Sequence, residues 1–532
     1  MATGQNQVSQ STGGPVHSAW WLLLILVLGL GLRWTELAWA QGYCFNMQGD
    51  GIIAVSVAED YASGEAKSQY IGQPNYNEHA KLPGPAWTLF CYWGLKLGGA
   101  PEGIMFGMLL LNTLAIYLAY LLAKQTLGER AAIWTAFLMA TFPRAIGFSV
   151  AIYNPNVMPF FGTAFFLALW RVTQRDKARA VFWLPFIPLF ALQFHMSGLM
   201  LIPTALVVII LTQARLNFLW LATGLLAAVC TYLPYLRGDA ANHWQNTAGI
   251  FSGGGSSHFS VEALKALTSS VGFLLSWSPG WIRYDHEYVE FGRTCFGSVY
   301  VLIAIYVVST VLAGFLVAGA LLVLKKSWAG FNWRSRREFF RASGINYLSL
   351  ILGLPLLFAL LGGKGFHARY CLVFIAPLFA LAAVGLIRWL DSPQKPRLFR
   401  ALFALVVATN LLIIVATSLY LNHLIEHGPA FTPSFRKLET VYQLMKHHAG
   451  GGRPIVVDDA DYLKNPPADS TVFRDADLIW RFTKAREKAS ETVSSGTNLP
   501  AIYKLYPASQ VSSNDPAAAF YGNGIALVAV SK

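Results

Sequence analysis

Residues 49–85, GDGIIAVSVAEDYASGEAKSQYIGQPNYNEHAKLPGP, gather titratable side chains directly behind an apolar run. Asp50, Glu59, Asp60, Glu65 and Glu78 supply carboxylates, and Lys67, His79 and Lys81 supply cations. Such groups are costly beside lipid unless they face water or a partner, so their density points to polar work at a membrane boundary. A carboxylate there can take a proton from a hydroxyl, and a neighbouring lysine can hold an anion. Asp50, expected on a loop just past the apolar run, is well placed for such chemistry. Glu59, Asp60 and Glu65 fall on an amphipathic helix, where a solvated acidic face explains them equally well.

A second set of candidates lies far along the chain. Lys364, His367 and Arg369 precede an apolar stretch, and His195 sits in the run Leu192-Gln193-Phe194-His195-Met196-Ser197 between two others. A guanidinium such as that of Arg369 binds an oxyanion through two donors at once. The plainer readings are interfacial snorkelling for Arg369 and Lys364, and a hydrogen-bonded packing role for His195. Asn154 and Asn156 read as caps for the helix that follows them. Asp459-Ala460-Asp461 has a DxD pattern, but the polar stretch around it is too short for a nucleotide-sugar fold. The five cysteines show no CxxC spacing, so no metal or haem site is expected.

The elements that position these residues are membrane spans. Hydrophobic residues make up 55% of the 532 and charged residues 13%, with a mean hydropathy of +0.45; soluble domains carry about 25% charged residues. Apolar runs mark about eleven spans: 19–38, 103–123, 131–148, 155–170, 181–194, 197–212, 218–236, 298–324, 345–362, 370–388 and 401–421. The run 85–97 is too short to cross and reads as an interfacial or re-entrant helix. The net charge of +13 comes from Lys and Arg clustered in short connections rather than on a nucleic-acid-binding face. Alternate connections hold seventeen Lys and Arg on one side and ten, spread over longer loops, on the other. The first side is then cytoplasmic, which puts the N-terminus inside and residue 50, the loop 237–297 and the C-terminal part outside.

The expected organisation is a disordered cytoplasmic tail (1–18), a transmembrane domain (19–424) with outer loops 40–102 and 237–297, and a small outer α/β domain (425–532). Ala38-Trp39-Ala40 resembles a signal-peptidase site, but no positive charge precedes the apolar run, so the first helix is expected to be retained. Arg33 and Glu36, three apart, can pair at its end. Cys44, Cys91 and Cys295 all fall near the outer face, where one disulfide is allowed. The loop 237–297, with Gly253-Gly254-Gly255 followed by Trp277, Trp281 and Arg283, reads as a lid or as a passive cap.

An early Asp in an outer first loop, a following helix and the run Glu78-His79-Ala80-Lys81-Leu82-Pro83-Gly84-Pro85 resemble the GT-C superfamily of membrane glycosyltransferases, of the family 39-like protein O-mannosyltransferase and aminoarabinose-transferase type. Tyr153-Asn154-Pro155-Asn156, residues 192–197 and His367-Ala368-Arg369-Tyr370 are similar to segments of bacterial members. The chain departs from the pattern at Asp50-Gly51, where many members have Asp-Glu, and in the loosened Lys81–Pro85 run. The resemblance implies inverting transfer of a sugar from a polyprenyl-phosphate carrier to an acceptor hydroxyl of a glycan, lipid or protein, outside a bacterial inner membrane. Asp50 would be the base, and Glu78, His79, Lys81, His195, Lys364, His367 and Arg369 the substrate contacts, with no cofactor. A lipid-linked polysaccharide polymerase or ligase, and a transporter, are the rival readings; against transport, the ionisable residues gather at span ends and no internal repeat is visible.

Overall fold

The computed structural model of the chain describes residues 15–44, 50–63, 72, 81–98, 101–174, 178–252, 285–361, 368–391, 396–427, 435–448, 455–458, 501–507, 518–522 and 525–530. Helices fill all eleven apolar stretches. The first, α1 (Pro15–Cys44), begins inside the stretch read as a tail, since the fixed φ of proline suits a first helical turn. Among the described residues, segments at 18–35, 102–127, 218–241, 372–390 and 403–420 are each long and apolar enough to cross a bilayer. Two bent pairs raise that number to seven, and further apolar helices at 178–192, 196–212 and 344–354 are shorter.

At the centre stands α4 (Glu102–Leu127), against α1, α3 (Ala86–Gly98), α5 (Glu129–Thr141) and α7 (Met158–Gln174). Its Met105, Met108, Leu109, Ala115, Ile116 and Ala119 are buried, while Phe106, Leu110, Leu114 and Tyr117 stay exposed. One face packs on protein and the other suits lipid tails. Further on, α13 (Val299–Trp328) crosses α17 (Ile375–Leu390) at Gly319 and Gly385, where a Cβ on either would meet main-chain atoms of the other helix within 3 Å. Small residues let helix backbones approach this closely in a membrane. The indole of Trp389 donates to the Phe315 carbonyl (2.7 Å) beside the crossing.

The stretch 131–148 is broken. A 60° bend separates α5 from α6 (Pro143–Val150). Proline has no N–H, so Pro143 leaves the carbonyl of Met139 without its helical donor. Arg33, 1% exposed, fills the gap: it donates to Met139 (3.2 Å), Ala140 (3.2 Å) and Gly29 (3.0 Å). The carbonyls freed by the break thus hold the guanidinium; the side chain of Glu36, its expected partner, lies outside the described residues.

The cation-rich connections counted on one side do meet at one end of the bundle. Lys124 pairs with Glu129 (2.7 Å), and Arg130 grips both oxygens of Asp391 (2.6 and 2.7 Å) at the end of α17. Gln174 donates to the Arg341 carbonyl (3.0 Å).

Among the described residues, the C-terminal part holds α19 (Phe435–His448) and four strands, β1 (Ile455–Asp458), β2 (Ala501–Pro507), β3 (Ala518–Gly522) and β4 (Ile525–Val530), in the order β1-β2-β4-β3. β1 runs parallel to β2, with Ile455 opposite Ala501, and the other pairs are antiparallel. Buried Tyr503 donates to the Met445 carbonyl (3.0 Å), which docks α19 on the sheet. Strand β3 was not expected. Asp459, Asp461 and the helical run Leu478–Lys488 lie outside the described residues. Cys91 and Cys295 are free thiols, so the disulfide allowed among the outer cysteines does not join them.

Candidate active site

Three consecutive residues organise the end of the bundle opposite the Arg130–Asp391 pair. Helix α8 (Trp183–Leu192) stops at Gln193, the chain passes through extended His195, and a 3-10 turn at Met196–Met200 leads into α9 (Leu201–Thr212). Because the helix is broken, Gln193, Phe194 and His195 each meet a different neighbour.

Gln193, 1% exposed, donates from Nε2 to Thr231 Oγ1 (2.6 Å) on α10 (Phe218–Ala241), while its Oε1 faces Gly84. A Cβ on Gly84 would lie 2.4 Å from that oxygen, and Gly84 has φ +140°, a region that side chains disfavour. Only glycine therefore lets the Lys81–Pro85 run lie on Gln193. The run is braced at the Leu82 carbonyl, which accepts from the Gly72 N–H (3.0 Å) and the Gly84 N–H (2.9 Å).

Phe194 enters an aromatic cluster with Trp87 and Phe90 of α3 and Phe161 of α7, at centroid distances of 6.3, 6.2 and 5.0 Å. Aromatic pairs at such spacings prefer offset or edge-on contact, which fixes the short helix α3 to the bundle.

His195 is buried. Its Nδ1 accepts from the Ser197 N–H (3.2 Å), lies 2.8 Å from Ser197 Oγ, and so caps the 3-10 turn. The imidazole lies 5.4 Å from the ring of Tyr370, at 33°. Tyr370 follows Arg369 in the one-turn helix α16 (Ala368–Cys371), which also touches the 3-10 turn Asn154–Val157. Asn156 of that turn is fully buried; its Nδ2 donates to the Ala151 carbonyl (3.2 Å) and its own carbonyl accepts from Asn112 (2.9 Å). Asn156 thus stitches the turn back to the preceding segment rather than capping α7, which corrects the expectation for it.

Lys81 is held by its main chain. Its N–H donates to Asn246 Oδ1 (2.6 Å), and Asn246 Nδ2 donates to its carbonyl (3.1 Å). Asn246 opens onto Asp239, a carboxylate with no solvent exposure at the end of α10. Asp239 accepts from the N–H groups of Asn246 (3.0 Å) and Thr247 (2.9 Å), from the Thr247 hydroxyl (2.5 Å) and from Tyr235 OH (3.3 Å). That set of donors satisfies a buried carboxylate.

Asp50 is the first residue of α2 (Asp50–Ser63) rather than a loop residue, a position at which a helix favours an acid. Helix α2 buries Ala54, Val55 and Ala58, lies on α3, and sets Tyr61 5.2 Å from Tyr92. The structure thus joins the Lys81–Pro85 run, Gln193–His195 and the segment bearing Arg369 through direct contacts, with α2 attached through α3. Glu78, His79, Lys364 and His367 lie outside the described residues, as does the glycine-rich part of the loop 237–297.

Sequence reasoning missed the contacts that Tyr370, Asp239 and Asn246 make here. Asp239 did carry a signal, an acid in the last turn of an apolar helix; the pairing of Asn246 with Lys81, 165 residues away, carried none.

No family model matches the chain, and no curated protein sequence matches it. Its fold is similar to that of ArnT from Cupriavidus metallidurans in the apo state, at a TM-score of 0.57 and 10% identity over 96% of this chain and 98% of that one. It is similar also to ArnT from the same organism bound to undecaprenyl phosphate, at a TM-score of 0.55 and 13% identity over the same shares. The chain thus shares its fold with these two ArnT structures.

Proposed function

We propose that a chain with this fold is an integral membrane glycosyltransferase that moves a sugar from a polyprenyl-phosphate carrier to an acceptor hydroxyl, with inversion, at the outer face of a bacterial inner membrane. The observation that carries this reading is the convergence of the Lys81 run, Gln193–His195 and the Arg369–Tyr370 helix at one end of the bundle. That the similar protein ArnT was crystallised with undecaprenyl phosphate supports a carrier of the same chemistry here.

In this reading Asp50 accepts the proton of the acceptor hydroxyl as its oxygen attacks the anomeric carbon. The new C–O bond forms as the bond to the carrier phosphate breaks, and the electron pair leaves on the phosphate. Phosphate is already a stable anion, so no second carboxylate is needed to protonate it, unlike glycoside hydrolysis. Fixed cations instead meet the charge that builds on it, with Arg369 and Lys81 as the ligands and Lys364, His367 and His79 as supporting groups. Glu78 is assigned to the acceptor or sugar hydroxyls, and no cofactor is required by this chemistry. The cation-rich end with Lys124, Arg130 and Arg341 faces the cytoplasm.

The test is transfer of label from a panel of radiolabelled polyprenyl-phosphate sugars by the purified full chain in lipid nanodiscs. Transfer from at least one carrier supports the reading. Uptake of solute into vesicles without transfer would replace it with transport.

A further inference from the structure

We infer that Asn246 is a positioning residue for the carrier phosphate: by clamping the main chain of Lys81 from both sides, it sets where the Lys81 ammonium stands. The inference rests on the proposed role of Lys81 and deepens it.

The clamp has the geometry of a strand pair made by one side chain. The amide of Asn246 accepts from the Lys81 N–H (2.6 Å) and donates to the Lys81 carbonyl (3.1 Å), so it fixes both polar groups of that residue at once. A lysine side chain has four rotatable methylenes and finds a defined position only if its main chain is held. The run is also braced at the Leu82 carbonyl, which accepts from Gly72 and Gly84.

The clamp is itself built. Asn246 Nδ2 also meets Tyr235 OH (3.2 Å), and its N–H is held by Asp239 Oδ1. To bring Asn246 back over Asp239, the chain turns through two successive left-handed residues, His243 (φ 54°) and Trp244 (φ 59°). Bulky side chains rarely adopt this conformation, and it persists only where surrounding contacts over-determine it. The Trp244 N–H donates to the Asp239 carbonyl (2.7 Å), and both oxygens of the Asp239 side chain are used by Asn246, Thr247 and Tyr235. A strained turn, a buried carboxylate and a bidentate amide all converge on one backbone unit whose side chain is a lysine. Such an arrangement exceeds what joining α10 to α11 (Gln245–Ser252) requires.

The experiment is a double-mutant cycle on binding of undecaprenyl phosphate to the purified full chain in nanodiscs, with Asn246→Ala, Lys81→Met and the double variant. Lys81→Met keeps the main chain and removes the ammonium. The expected result is that Asn246→Ala weakens binding about 10-fold when Lys81 is present and less than about 2-fold when residue 81 is Met, because coupled residues are non-additive. Equal weakening in both backgrounds would mean that Asn246 acts only on general stability and would overturn the inference. No weakening by Asn246→Ala with Lys81 present would overturn it too. Should Asn246→Ala fail to fold, Asn246→Ser, whose hydroxyl retains part of the bonding, runs in the same cycle under the same criteria. Failure of the wild-type chain to bind undecaprenyl phosphate sinks the proposed function itself, an outcome distinct from additivity among proteins that bind.

Discussion

The imidazole of His195 lies 5.4 Å from the phenol ring of Tyr370, at 33°, so two segments 175 residues apart share one contact at the bundle end. Arg369 precedes Tyr370, and Gln193, two residues before His195, supports the Lys81 run. The His195 backbone and cap are structural, but its ring faces the segment that bears the proposed phosphate ligand.

His195→Asn and His195→Ala separate those two duties. Asparagine is a good cap, so His195→Asn should hold the thermal unfolding midpoint within a few degrees, while His195→Ala, losing a cap worth about 1 kcal/mol, lowers it. Both should reduce carrier affinity, because both remove the ring that meets Tyr370. Retained affinity in His195→Asn would make His195 a packing and capping residue alone.

Gly84→Ala tests the seat of the Lys81 run. The new methyl meets Gln193 and forces a side chain into a left-handed conformation, at a combined cost of about 1–3 kcal/mol read from the unfolding midpoint. Adding Gln193→Ala removes the steric part and leaves the conformational part, so it should restore some of the loss. A Gly84→Ala protein as stable as wild type would contradict the positive φ.

Arg33→Met should destabilise the bundle by about 1–3 kcal/mol, because it strips the donors from the carbonyls of Met139 and Ala140 at the Pro143 break. Thermal unfolding in detergent measures this, and an unchanged midpoint would mean that those carbonyls find other partners.

Much of this was legible in the sequence, and the reasons for the exceptions are physical. Apolar periodicity located the long helices of the bundle, and α3, α19, β1, β2 and β4 as well, because each carries its pattern within its own span, but not the short helices at 245–252, 285–296 and 336–342. The bend at Pro143 was readable in principle, since proline removes a donor, but the answer to it comes from Arg33, more than a hundred residues earlier in the chain. The cap role given to Asn156 failed because its side chain donates to Ala151 and its carbonyl accepts from Asn112, contacts set by packing. Motif likeness did bring the Lys81, His195 and Arg369 segments into one list, and the contacts Gly84–Gln193 and His195–Tyr370 explain why they belong together. The Asn246 clamp left no trace in composition or spacing, because a side-chain amide can satisfy any backbone.

The sidedness of the site is open to a direct check. A reporter active only outside the cytoplasm should work when fused after Lys532 and fail when fused after Arg337, which lies at the cation-rich end. The reverse pattern would put the Lys81 run on the cytoplasmic face and overturn the proposed mechanism.

Arg369→Ala should weaken dependence on the polyprenyl-phosphate carrier far more than Arg388→Ala does. Arg388 is exposed in the last turn of α17, at the opposite end from α16. Equal effects would return Arg369 to an interfacial role.

The central claim is that Asp50 is the base for transfer from a polyprenyl-phosphate sugar. Asp50→Asn keeps size and hydrogen bonding and removes the ability to accept a proton at neutral pH, so single-turnover transfer by the purified chain should fall by roughly two to four orders of magnitude. Asp60→Asn, ten residues on in the same helix, should leave the rate near that of wild type, and carrier affinity should be retained in both variants. An Asp50→Asn protein that binds the carrier, unfolds at the wild-type temperature and transfers sugar at the wild-type rate would contradict the account.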